Sequence, residues 1–111
     1  MYLIAFYVPE SHLQDVTAAM FSKGAGRVGN YDSCAWYTTG VGQFRPLKES
    51  SPFIGTQDKV EHLPEIKVEM VCENDLLEDV LHELVNAHPY ETPAYHAVEI
   101  LTLDNFKHSK R

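Results

Sequence analysis

Six consecutive residues carry the densest chemistry in this sequence: His88-Pro89-Tyr90-Glu91-Thr92-Pro93. An imidazole, a phenol and a carboxylate side by side can move a proton, hold a divalent cation or grip a polar ligand. Two prolines make the segment rigid, because each fixes its own φ at about −65° and drives the residue before it, here His88 and Thr92, out of the helical region. Two readings follow. In the first, the corner is a brace that ends a helix at about His88 and sends the chain out extended from about Pro93, with Glu91 accepting hydrogen bonds from nearby backbone donors. In the second, His88, Tyr90 and Glu91 form a ligand site, with His88 and Glu91 as the candidate ligands of a divalent metal ion. The brace is the simpler reading and is preferred, since a motif acquires function only through its context.

The other reactive groups are more scattered. Gly24-Ala25-Gly26-Arg27-Val28-Gly29 matches the dinucleotide-binding spacing, but that motif must follow a strand and open a helix. Here it follows a predicted helix, whose negative end repels phosphate. A tight loop with close backbone contact explains the glycines better. His12, His62, His82, His96 and His108 complete a set of six histidines, and no pair of them has a zinc-motif spacing. Glu78 and His82 are four apart, as a solvated pair on one helix face would be. Cys34 and Cys72 are expected to be buried, reduced thiols that approach one another if the two long strands pair. No nucleophile-base-acid set can be assembled from spacing, so no catalytic residue is assigned.

These side chains must be positioned by a single domain, residues 1–103, followed by a polar tail, residues 104–111. A length of 111 residues suffices for one core and not for two. Nine basic and sixteen acidic residues give a net charge of −7, which disfavours nucleic acid. The basic residues group only weakly, at Lys107, Lys110 and Arg111 in the tail. No signal-peptide pattern opens the sequence, and no apolar run nears the roughly 20 residues of a membrane span. A cytoplasmic protein without membrane or nucleic-acid partners is expected.

The periodicities predict the order βαββαβ, an α+β ferredoxin-like sandwich with long, bent central strands. Tyr2 to Val8 is a short apolar strand ended by Pro9. A helix opens at Ser11, with Gln14 in the capping-box position, buries Leu13, Val16, Thr17, Met20 and Phe21, and stops at Gly24. Residues 33–47 read as one bent strand bearing Trp36, Tyr37 and Phe44, with Gly40 and Gly42 marking a bulge or twist. Residues 49–58 read as a loop anchored by Phe53 and Ile54. A second long strand, residues 59–72, is interrupted by Pro64 and alternates polar with apolar near its end. Asn74 or Asp75 caps the second helix with Glu78 as partner, and residues 94–103 form the last strand. Both helices should cover one face of the sheet. The long aromatic strands extend past what two short helices can cover, so an edge is left to pair with another subunit.

Several segments together resemble one family. They are Val8-Pro9-Glu10-Ser11-His12, Gly24-Ala25-Gly26 with Gly29-Asn30-Tyr31, Gly42-Gln43-Phe44-Arg45-Pro46-Leu47, Pro52-Phe53-Ile54-Gly55, Lys67-Val68-Glu69, and His88-Pro89-Tyr90-Glu91 with Pro93-Ala94-Tyr95. The resemblance is to the insertion domain of bacterial Nif-three-like (YqfO-type) proteins, and it spans about residues 2–103. The His-Pro-Tyr-Glu corner is also similar to the CutA family, which shares its fold with the PII signalling proteins. The resemblance implies a stand-alone, trimeric CutA/PII-like binding or regulatory module, non-enzymatic, with its ligand in a cleft between subunits. In the full-length relatives the dinuclear metal site belongs to flanking lobes, and none of those ligands has a matching position here. The resemblance therefore carries no hydrolase or cyclohydrolase activity across, and it leaves the ligand and any cofactor open. The alternative is a divalent-metal-binding protein or small enzyme that uses the His88-Tyr90-Glu91 corner.

Overall fold

The computed structural model describes residues 1–106. Among these, the main elements are β1 (Tyr2–Val8), α1 (Glu10–Ser22), β2 (Trp36–Phe44), β3 (Glu61–Cys72), α2 (Leu77–Ala87) and β4 (Tyr95–Glu99). All strand pairs are antiparallel, in the order β2-β3-β1-β4. This is the ferredoxin-like α+β arrangement that the periodicities predict, and it leaves β2 and β4 as the two edges.

The core explains why both helices lie on one side. Strand alternation puts Ile4, Phe6 and Val8 on the same face as their register partners Met70, Val68 and Ile66. Leu13, Val16 and Met20 of α1 and Val80 and Leu84 of α2 join them in one buried cluster. The opposite face of the sheet has no helix. There Trp36 pairs with Glu69, whose other neighbour Ala5 pairs with His96, and Trp36 is 68% exposed.

Local signals held unevenly. Pro9, not Ser11, is the N-cap of α1, extended at ψ 147° and without a side-chain cap. Ser11 therefore lies inside the first turn, where its hydroxyl bonds the His12 ring at 2.9 Å. The other end follows expectation: Gly24 takes φ +99° and donates to the Phe21 carbonyl, and Ala25 donates to that of Met20. Gly26 then docks the glycine loop on the sheet, its N–H donating to the Val71 carbonyl and its own carbonyl accepting from Cys34, both at 2.8 Å. At φ +77°, a Cβ there would lie 2.8 Å from the Cys34 carbonyl, so only glycine fits.

The middle strands are shorter than predicted. The Cys34 bond to Gly26 holds the approach to β2 in the loop, and Pro46 lacks the N–H to prolong it. The register from Trp36↔Glu69 to Phe44↔Glu61 is unbroken, so Gly40 and Gly42 mark no bulge. β3 also continues through Pro64, which pairs with Val41 beyond the end of β1. With a neighbour on one side only, a missing N–H is tolerated there. Asn74–Leu76 forms a 3₁₀ turn ahead of α2, and no side chain caps either element, so the Asp75–Glu78 box is not made. β4 ends at Glu99 rather than Leu103, because Leu103–Phe106 turns into a short 3₁₀ helix closed by the Asn105 side chain on the Thr102 N–H. Lys107, His108, Lys110 and Arg111 lie outside the described residues. Cys34 and Cys72 are both free thiols, and only Cys72 is buried.

Candidate functional site

The corner forms because α2 cannot continue through Pro89. His88 is the C-cap residue at φ −70° and ψ 138°, the extended conformation that a following proline imposes. This turns its ring into the molecule, where it is 6% exposed and meets the edge of Phe6 at 6.5 Å. Nε2 lies 2.7 Å from the Tyr7 carbonyl oxygen, which can only accept, so Nε2 carries the proton. Nδ1 then accepts from the Tyr90 N–H at 3.1 Å. Both ring nitrogens are thereby committed to backbone groups, one of them 81 positions away. A metal ion or a proton at His88 would have to displace the Tyr90 amide.

Burial pushes the His88 pKa below its ordinary 6.5, against smaller opposing effects of the Tyr7 hydrogen bond and the Glu65 charge. The native ring is thus harder to protonate than the unfolded one. Its contribution to stability is complete above about pH 6.5 and is lost as the pH falls toward the depressed native value. The melting temperature should therefore fall between about pH 7 and pH 5 more steeply in the wild type than in a His88→Gln variant. Equal slopes in a pH series of thermal melts would place the titration elsewhere.

The Tyr90 ring lies against that of His88, with centroids 4.8 Å apart, and its hydroxyl, like the Glu91 carboxylate, reaches the β2–β3 hairpin. The Tyr90 hydroxyl donates to Glu65 Oε2 at 2.6 Å, and burial together with that carboxylate holds the phenol proton firmly in place. Its ring packs on Phe44 and Phe53, each with centroids 6.3 Å apart. Phe53 also meets the ring of His12 on α1, so it anchors the loop as the sequence suggests. Glu91 Oε1 accepts the Ser51 N–H at 2.8 Å, a backbone bond made to the hairpin loop rather than within the corner. The corner and the loop are thus tied together across 40 positions.

Between them lies a cleft of about 840 Å³, floored by the helix-free face of the sheet. Tyr7, Thr38, Gly40, Gly42, Glu65 and Lys67 line that floor. Here one strand glycine, Gly42, finds its purpose. The Glu65 carboxylate lies where a Gly42 Cβ would be, so a bare backbone at this position lets Glu65 reach Tyr90. Tyr90 and Glu91, singled out in the sequence, line this cleft, whereas Glu65 and Ser51 were not singled out, because their partners are remote in the chain. Two glycines at alternate strand positions, leaving one face bare, were the available signal.

Other predicted positions stay apart. Glu78 and His82 form an exposed pair at 3.8 Å, and His62 bonds Gln43 across the hairpin at 2.8 Å. His96 lies on β4. Among the described residues no three His, Cys, Asp or Glu side chains converge to hold a metal ion, and no helix is long and apolar enough to cross a membrane.

No family model matches the sequence. A Listeria innocua protein named GTP cyclohydrolase 1 type 2 homolog is 39% identical over 102 residues, 91% of this chain and 26% of the relative. A solved Bacillus cereus protein related to NIF3 superposes with a TM-score of 0.74 at 30% identity, over 86% of this chain and 24% of that one. This chain is similar to one segment of these proteins. It spans about a quarter of the length of the curated relatives it matches. CutA1 from Pyrococcus horikoshii gives a TM-score of 0.68 over 96% of this chain and 91% of its own, at 15% identity. The chain thus has the CutA-like fold that the resemblance in its sequence implies.

Proposed function

We propose that this Nif-three-like segment is a non-catalytic, oligomeric binding or regulatory module whose ligand occupies the cleft between the corner and the β2–β3 hairpin. The carrying observation is the division of labour in the corner. His88 has both nitrogens bound to backbone and Tyr90 keeps its proton, so neither is poised as a base. What they build is a walled, largely apolar cleft of about 840 Å³, within the size range of small-molecule sites. In this reading Tyr90 and Glu91 line the ligand cavity and His88 braces its wall.

The assembly reading rests on surface. The chain exposes 7693 Å², about 1,500 Å² more than a folded monomer of 12.6 kDa is expected to show. Exposed apolar side chains on the two edge strands and just beyond them include Trp36, Val41, Val98 and Leu101. Two different edges favour head-to-tail pairing, which forms a ring when the rotation between copies closes. The resemblance to the CutA and PII families implies a ring of three. Amide hydrogen exchange tests the pairing. Outward-facing amides of β2 and β4 should be protected at micromolar concentration and lose protection on dilution. Exchange there that is fast and independent of concentration would overturn it.

A further inference from the structure

One wall of the cleft is a loop rather than a strand. The connection between β2 and β3 is closed at its base, where the Asp58 N–H donates to the Pro46 carbonyl at 2.6 Å. Inside that base both arms of the loop are seated. On one arm the Ser50 N–H and hydroxyl both donate to the Leu47 carbonyl, at 3.1 and 2.7 Å. On the other, Gly55 lies so close to the hairpin that a Cβ there would meet Cγ of Glu61 at 2.8 Å and the Phe44 ring at 3.4 Å. Between the two seats runs Ser51-Pro52-Phe53-Ile54, and its last three residues line the cleft.

This tip is bent at both ends and lightly held. Glu49 and Gly55 take left-handed backbone conformations, with φ +77° and +101°. Glycine adopts that conformation freely, whereas at Glu49 it is strained, as residues of switch segments often are. Among the described residues, the tip's polar and ring contacts are two. The Ser51 N–H donates to Glu91, and the Phe53 ring meets His12 at 5.3 Å and Tyr90 at 6.3 Å. Phe53 is nonetheless 50% exposed, and Ser51 and Pro52 are exposed, so little apolar surface is withdrawn from water. Both contacts fall on the consecutive corner residues Tyr90 and Glu91, and neither involves a seat of the loop. They can therefore break together while the base stays shut.

We infer that residues 51–54 form a flap on the cleft, hinged at Glu49 and Gly55 and latched to the corner by Glu91 and Tyr90. Opening the flap widens the mouth of the cleft, and closing it brings the Phe53 ring against what lies on the sheet. Its use as a gate rests on the reading of the cleft as a ligand site. Its motion does not, and is measured without a ligand.

Residue-by-residue amide exchange on the full chain, at one fixed protein concentration, tests the flap. The Ser51 amide should be protected about 100-fold less than the Asp58 amide, because the tip opens without the base. In Phe53→Ala the Ser51 amide should lose about a further tenfold, although its own acceptor is intact, because the ring contact no longer helps to hold the tip. The Asp58 amide should keep its protection, which also verifies that the variant is folded. Phe53→Tyr retains the ring and should retain the wild-type value at Ser51. Equal protection of Ser51 and Asp58, or equal losses at both in Phe53→Ala, would mean that the loop opens only as a whole and overturns the flap. A Ser51 amide that is unprotected in the wild type, or indifferent to Phe53→Ala, overturns the latch and the flap with it. None of these failures bears on whether the cleft takes a ligand.

Discussion

A His88→Leu variant should lose roughly 2–5 kcal/mol of stability. The leucine fills much of the ring's volume, so the loss reports hydrogen bonding more than packing. Two backbone groups would be stranded, the Tyr7 carbonyl and the Tyr90 N–H, at about 1–3 kcal/mol each when buried. For a domain of this size the melting temperature should drop by about 10 °C or more, measured at one fixed protein concentration. Tyr90→Phe makes the comparison informative. It removes only the hydroxyl bond to Glu65 and should cost about 1 kcal/mol. A His88→Leu variant as stable as the wild type would mean that the ring does not brace the corner. The account of the cleft wall would then fail with it.

Some of this could be read from the chain, and the boundary has a physical basis. Local, stereochemical signals were reliable. Pro89 stopped α2 after Ala87, Gly24 took the left-handed turn past α1, and the apolar stripes put both helices on one face. Capping was less reliable, because two side chains in suitable positions were overruled by what preceded them. Pro9 caps α1 two residues ahead of Ser11, and Asn74–Leu76 spends the start of the second helix on a 3₁₀ turn. Gly42 is expected from the sequence to mark a defect in the ladder, whereas it makes room for a side chain from the neighbouring strand. Least legible were the contacts that make the cleft. Tyr7 with His88, Ser51 with Glu91 and Glu65 with Tyr90 are each set by tertiary packing, and no local pattern encodes them.

The second large effect is expected at the sheet edge. Trp36 and Val41 lie on opposite faces of β2 and are 68% and 75% exposed in the single chain. Replacing both by glutamate should barely affect an isolated fold, since exposed substitutions usually stay within about 0.5 kcal/mol. Within an assembly built on β2 the same changes bury two carboxylates without partners. They should weaken association about 100-fold or more, given that central contacts of an interface are worth about 2 kcal/mol or more each. The variant should therefore keep its helical and strand circular dichroism and lose its partners. Its dissociated chain should also melt at lower temperature, because subunit binding no longer adds to stability.

Mass in solution tests the central claim most directly. Light scattering at micromolar concentration should give three times the chain mass of 12.6 kDa for the wild type and a single chain mass for Trp36→Glu, Val41→Glu. A wild type at single chain mass would contradict the assembly, and an intact assembly in the double variant would contradict its construction on β2.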